Sequence, residues 1–298
     1  MKQLFAFLLA LILCMGCAVA GTENRSVMRT MRDVEAAIAG WGLSEYYEEI
    51  SKTVRNSVRI VLTPAAEEEI PTGASKMGGL PDLPEGVDWF REEAVDVPLS
   101  FICQINFAEV KPYDTENKLP DQGMLYFFYN CAMYVSPWRY DPYDEDSWVV
   151  FYYDGDTSIL TRREAPEDLA QKGCAFAPAG MRFAQALDLP DWYSGAAEEI
   201  RKVIREEDHE NYAELTGDAW DAISNKLLGH SDNIQFEMEA ECEQETGKTG
   251  NWHLLLQVDS NENLGMMWGD GGRLYLWITD EDLAARDFSS SWLIMQCY

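Results

Sequence analysis

One three-part pattern occurs twice in this chain, and self-similarity at a fixed period constrains a fold more tightly than any composition. Ser75-Lys76-Met77-Gly78-Gly79 returns as Asn225-Lys226-Leu227-Leu228-Gly229. The apolar run Leu99-Ser100-Phe101-Ile102-Cys103-Gln104 is echoed by His253-Leu254-Leu255-Leu256-Gln257. Gly123-Met124-Leu125-Tyr126-Phe127-Phe128 is echoed by Gly272-Arg273-Leu274-Tyr275-Leu276-Trp277. The lysines stand 150 positions apart, the glutamines 153 and the glycines 149, so order and spacing both hold. Two matched halves of one chain are expected to share a core.

Residues 1–20 read as a secretory signal rather than as part of the fold. Lys2 precedes an apolar stretch from Leu4 to Met15, and Ala18-Val19-Ala20 stands before Gly21 as an A-x-A cleavage site. Cys17, preceded by Gly16, offers a second reading as a lipidated cysteine, although Cys14 stands where such sites usually carry Leu. Both readings place the mature protein outside the cytoplasm, secreted or attached to the cell envelope, with Cys17 as the one route to a lipid anchor. No segment of 21–298 is long and apolar enough to be expected to span a bilayer. Hydrophobic content of 47% with 12% aromatic residues is that of a globular chain.

The net charge of −29 excludes more than it identifies. Such a surface repels phosphate backbones and anionic headgroups, which argues against nucleic acid and membrane-surface partners. Export permits disulfides, but Cys103, Cys131, Cys174, Cys242 and Cys297 are an odd number at wide spacing. They form no disulfide framework, and their pairing stays open. The only C-x-x-C, Cys14 to Cys17, falls inside the signal.

Arg29 to Val54 carries helical periodicity that Gly40 and Gly42 divide in two, and Ser57 to Thr63 alternates as a strand ending at Pro64. Leu99–Phe107, Met124–Tyr129 and Trp148–Tyr153 are predicted strands of the first half. Leu254–Val258, Leu274–Thr279 and Trp292–Cys297 are those of the second. Gly195–Leu215 and Gly217–Lys226 read as helices. Asp141–Asp146, with Trp138 and Tyr140 before it and Tyr143 within it, is an acidic loop, and Glu237–Glu245 a solvated face. Strands within both halves and helices grouped at the start and middle predict an α+β fold. Its sheets are expected to be mostly antiparallel, in two pseudo-repeated halves (about 57–153 and 217–298) of a single domain, residues 21–298.

Catalytic signatures are sparse. No G-x-S-x-G elbow, phosphate-cradling loop or H-E-x-x-H is present, and His209, His230 and His253 are not spaced as metal ligands. Asp259-Ser260-Asn261-Glu262-Asn263, with Asp270 in twelfth place, superficially resembles a calcium loop. Leu264 stands where the sharp turn needs Gly, so a hairpin turn explains the run better, with calcium as the lesser reading and no other cofactor expected. The repeated Lys76, Gln104, Lys226 and Gln257 are the sharpest polar candidates. Each glutamine ends an apolar run, where a buried amide must find partners. The structural reading is that each ties its strand to a neighbouring turn and that the lysines are solvated. The functional reading is that all four line one cleft between the halves, with Asp259 and Asp270 beside them.

These motifs resemble the YwqG-like family (domain of unknown function 1963). The match runs through GGLPDLPEGVDWF (78–90), PLSFICQINFAEV (98–110), LPDQGMLYFF (119–128) and NKLLGHSDNIQ (225–235). It continues through LLLQVDS (254–260), WGDGGRLYLWI (268–278) and ARDFSSSWLIMQC (285–297). The family usually has Trp-Pro where this chain has Trp89-Phe90. The resemblance implies an α+β fold with duplicated halves and assigns no reaction or catalytic residue. The favoured expectation is therefore an exported module that binds a protein or peptide. The alternatives are a hydrolase built on carboxylates such as Asp259 and Asp270, and a structural scaffold. Whether the repeated lysines and glutamines meet in one open cleft or pack separately discriminates among them.

Overall fold

The computed structural model describes residues 27–92, 96–131, 147–171, 173–217 and 224–298. The secretory signal, Cys17, the acidic loop Asp141–Asp146 with its flanking aromatics, and most of the helix expected over 217–226 lie outside the described residues. Among the described residues no helix is long and apolar enough to cross a membrane.

The fold is α+β, dominated by one large antiparallel sheet. In chain order its elements are α1 (Met31–Gly40), α2 (Tyr47–Ser51), β1 (Arg55–Pro64), β2 (Lys76–Met77), β3 (Asp82–Leu83), β4 (Arg91–Glu92), β5 (Val97–Pro98) and β6 (Ser100–Asn106). Then come α3 (Phe107–Val110), β7 (Met124–Tyr129), β8 (Trp148–Tyr153), β9 (Thr161–Arg162), α4 (Glu167–Gln171) and β10 (Ala179–Asp188). The chain closes with α5 (Glu198–Val203), α6 (His209–Thr216), β11 (Lys226–Leu228), α7 (Glu239–Thr246), β12 (Trp252–Asp259), β13 (Arg273–Thr279), α8 (Asp280–Ala285) and β14 (Trp292–Gln296).

Ten strands hydrogen-bond in the order β14-β13-β12-β11-β1-β10-β2-β6-β7-β8. The sequence predicts sheets in separate halves; the strands instead form one continuous sheet centred on β1 and β10, which pair over ten residues from Arg55↔Asp188 to Pro64↔Ala179. β1 forms because Val58 and Ile60 alternate inward while Val61 and Thr63 face out. β10 carries Ala, Gly and Gln among its apolar residues, weak strand formers, and owes its conformation to partners on both sides. On one side of this central pair lie β2, β6, β7 and β8, and on the other β11, β12, β13 and β14.

The sheet curls until its outermost strands meet. Trp148 of β8 and Trp292 of β14 pack edge to face with ring centroids 5.3 Å apart, and Phe288 packs on Tyr152 of β8 at 5.0 Å. One large core, from Ile102 and Phe127 to Leu256 and Leu276, therefore spans both arms. A second core forms where N-terminal and central helices meet: Val34 and Ile38 of α1, Ile50 of α2, Ile200 of α5 and Tyr212 of α6. α1 opens with a capping box, in which Thr30 and Asp33 satisfy each other's backbone N–H groups. The acidic run 237–245 is only partly solvated, since α7 buries Cys242 and packs it, with Met238, into the main core.

Candidate functional site

Both repeated lysines are buried, contrary to the solvated-turn expectation. Lys76 and Lys226 are each 0% exposed and lie in short strands, β2 and β11. In each arm the lysine stands opposite its glutamine, which stands opposite a tyrosine. Lys76 pairs with Gln104 and Gln104 with Tyr126. Lys226 pairs with Gln257 and Gln257 with Tyr275. Cross-strand neighbours share a sheet face, so each row aims its polar groups at one spot.

An aspartate waits at that spot in the first arm. Lys76 Nζ lies 2.9 Å from Glu67 Oε1 and 3.4 Å from Asp82 Oδ2. Arg162 Nε reaches the same two acids, Asp82 Oδ1 at 2.9 Å and Glu67 Oε1 at 3.0 Å. Gln104 Nε2 donates to Asp82 Oδ2 at 2.8 Å and to Ala74 O at 2.8 Å, while Gln104 Oε1 accepts from Asp82 N at 2.7 Å. Tyr126 donates its hydroxyl to Asp82 O. Burial lowers the pKa of Lys76, offset in part by its bond to Glu67. Burial pushes the Asp82 carboxyl up, but Arg162 and Lys76 more than compensate and hold it below the ordinary carboxylate range.

The second arm repeats this arrangement. Lys226 Nζ lies 3.0 Å from Asp188 Oδ2 and 2.7 Å from Asp232 Oδ1. Arg59 lies 3.2 Å from Asp188 and 3.9 Å from Asp232. Gln257 Nε2 donates to Asp232 Oδ2 at 2.7 Å and to Ser224 O at 2.8 Å, and its Oε1 accepts from Asp232 N at 3.0 Å. Tyr275 donates its hydroxyl to Asp232 O at 2.6 Å. Against burial, the charges of Lys226 and Arg59 hold both Asp188 and Asp232 below the usual range. Each cluster thus balances two cations with two carboxylates and gives every amide atom of its glutamine a partner. This is how buried charge becomes tolerable.

The turn geometry matches as well. Gly78 and Gly79 have φ of 65° and 72°, and Leu228 and Gly229 have 58° and 75°. A Cβ on Gly79 would come 2.0 Å from Glu67 Oε2, and one on Gly229 would come 2.7 Å from Asp188 Oδ2 and 2.5 Å from Ser57 Cβ. The glycine is needed both for the left-handed turn and for close approach to the lysine's acidic partner. Just before each lysine, Ser75 Oγ accepts from Asn106 N at 2.8 Å and Asn225 Oδ1 from Asp259 N at 2.8 Å.

The four repeated side chains do not meet in one cleft. They divide into two pairs with separate partners, and β10 and β1 lie between β2 and β11, about 14 Å at the usual strand spacing. Asp259 borders the second cluster, where Arg273 Nε lies 3.1 Å away and Ser224 N donates at 2.8 Å. Burial still raises its pKa. Asp270 is exposed on the connection between β12 and β13. That connection contains the Asp259–Asn263 run, in which Asn261 bridges to Met266 and Gly265 turns left-handed. Among the described residues no group of three or more His, Cys, Asp or Glu could hold a metal ion. Of the cysteines, Cys103, Cys131, Cys174 and Cys242 are buried and Cys297 is half-buried.

Sequence reasoning named the lysines and glutamines but missed Asp82 and Asp232. The signal was present, for both halves read K-x-x-G-x-x-D, Lys76 to Asp82 and Lys226 to Asp232. Tyr126 and Tyr275 lay within the quoted repeat. Glu67, Arg162, Arg59 and Asp188 had no such signal, since the arginines come from non-equivalent strands, β9 and β1. The three histidines are satisfied locally. His230 is buried against Thr53 O, and burial pushes its pKa down to about 3; His253 bonds Asp280, and His209 packs on Trp192 at 4.7 Å.

A cleft opens beside the first cluster. It measures about 230 Å³ and is lined by Glu67, Gly79, Leu80, Phe101 and Ala165, and by Leu169, Cys174, Ala175, Phe176 and Pro178. Among the described residues that line it, Glu67 is the only charged one.

A family profile described as a domain of unknown function (DUF1963) matches residues 75–297. A comparison with curated proteins finds no match.

Proposed function

The chain belongs to the DUF1963 family, and from that premise we propose that it is an exported, non-catalytic module that binds a protein or peptide. The observation that carries the proposal is the saturation of both clusters. Lys76, Gln104, Asp82, Lys226, Gln257 and Asp232 spend their polar atoms on one another and on backbone. General acid–base work needs a group within reach of a substrate proton, and a neutral, internally bonded quartet offers none. What the clusters do is pin the turns that leave β2 and β11.

The matched registers, the matched left-handed turns and the K-x-x-G-x-x-D pair support descent of the two arms from one duplicated unit. In this reading the duplication builds a rigid curled sheet, and recognition is left to its surface and to the cleft beside Glu67. The A-x-A site before Gly21 and the net charge of −29 support a role outside the cytoplasm with a partner that is not anionic.

The test is capture from the native cell envelope with a C-terminally tagged full-length chain, together with the intact mass of the exported product. A reproducible partner and an N-terminus at Gly21, or a lipidated Cys17, are the expected results. Failure to capture any partner, or retention of residues 1–20 in the cytoplasm, would overturn the reading.

A further inference from the structure

The cleft beside Glu67 has the attributes of an anchor pocket. At about 230 Å³ it is smaller than sites for drug-sized ligands, about 300–1,000 Å³, and it suits one large side chain. Its walls are mostly apolar: Leu80, Phe101, Leu169 and Phe176 with Ala165 and Pro178. They are also fixed in advance. Glu67 is held by Lys76, by Arg162 and by Leu80 N at 3.0 Å. Phe176 O accepts from Gly79 N at 3.0 Å, and the Phe176 ring stands edge-on to Trp268 at 5.8 Å. A preformed pocket avoids the ordering cost of binding, and interfaces draw most of their affinity from a few buried anchors in such pockets.

Exposed glutamates adjoin the lining residues along the chain. Glu68 and Glu69 adjoin Glu67, Glu164 and Glu167 flank Ala165, and all four are exposed. Lys76 and Arg162, which hold Glu67, are committed inward to it and to Asp82, and Arg163 donates to Pro84 O at 3.0 Å. We propose that this cleft receives one aromatic side chain of a partner peptide, flanked by lysines or arginines that face the exposed glutamates. The inference rests on the protein-binding reading and identifies where on the molecule, and with what chemistry, that binding occurs.

The test is fluorescence anisotropy at low salt with labelled Lys-Lys-Trp-Lys-Lys, its Ala-centred analogue Lys-Lys-Ala-Lys-Lys, and Glu-Glu-Trp-Glu-Glu. The Trp-centred basic peptide should bind, with both analogues weaker by about tenfold or more, the scale of losing a buried anchor. Ala165→Phe, which fills the cleft, should give the same loss. Ala175→Trp at an exposed lining position does so too, and keeps the test alive should the first variant fail to fold. Equal binding of the Ala-centred peptide would reduce the effect to the acidic surface and overturn the pocket. So would undiminished binding by the filled variants, or no binding at all. If an envelope partner is captured equally well by the wild type and by Ala165→Phe, this site fails while the protein-binding reading survives.

Discussion

Gln104 and Asp82 hold each other from both ends. The amide Nε2 donates to Oδ2 at 2.8 Å, while the amide oxygen accepts the aspartate's own N–H at 2.7 Å. The clamp fixes the turn after β2 to β6, and Gln257 does the same for Asp232 and β12. A carboxylate there could not take the backbone N–H and donate as well, so the amide is required chemically as well as by size.

Replacing either glutamine by leucine leaves its aspartate, buried Asp82 or half-buried Asp232, with an unpaired N–H and one fewer donor. Gln104→Leu and Gln257→Leu should each cost about 2–4 kcal/mol, the range for orphaned buried groups beside charge. Because the two clusters share no partner, the double variant should lose the sum to within about 0.5 kcal/mol. Urea unfolding checks both points, provided that the slope stays constant.

Alanine at the matched turn position of either repeat should be costly. Gly79→Ala and Gly229→Ala force a Cβ into left-handed backbone, about 1–2 kcal/mol, and push it against Glu67 or against Ser57 and Asp188. Overpacking of this kind adds about 1–3 kcal/mol. Gly247→Ala, also left-handed but with nothing near its Cβ, should show only the first cost. Thermal unfolding of the three variants separates strain from contact.

Asp191 should make stability depend on pH. Its side chain is 8% exposed and accepts from Tyr193 N, and burial pushes its pKa from 3.8 up to about 6. The folded state therefore holds this proton more tightly than the unfolded chain. That contribution is fully present below about pH 4 and is lost as pH rises through about 6. Asp191→Asn, which keeps the oxygen acceptor, should match the wild type near pH 4 and exceed it at pH 7. The margin should approach about 2–3 kcal/mol, since one pKa unit is worth about 1.4 kcal/mol. A margin that does not vary with pH would contradict this.

Much of this architecture is legible in the sequence because its signals are local. The alternation in Ser57–Thr63, the runs of β6, β7, β12 and β13, and the Gly40–Gly42 break all read directly. β10 reads only faintly, where Phe176, Phe183 and Leu187 suggest a strand within 165–191; its bounds and its pairing with β1 do not, because its residues have little strand preference and that pairing is set more than a hundred positions away. Nor does the burial of the lysines. A lysine before two glycines looks like a surface turn until its counter-charges arrive; for Lys76 they are Glu67 and Asp82, which Arg162 holds in place from β9, beyond β8 in the chain. The repeat showed which positions mattered, and only the fold showed that they pair inward.

The central claim is that Lys76 and Lys226 are structural counter-charges and not ligand-binding groups, and the most direct measurement is urea unfolding of Lys76→Met and Lys226→Met beside binding of the Trp-centred basic peptide. Removing one partner of a buried charge cluster should cost each variant about 3–5 kcal/mol. At urea-free conditions where the variants remain folded, peptide affinity should be unchanged for Lys226→Met, whose cluster lies away from the cleft. Variants that keep wild-type stability yet lose binding would contradict the account and return the lysines to a functional site.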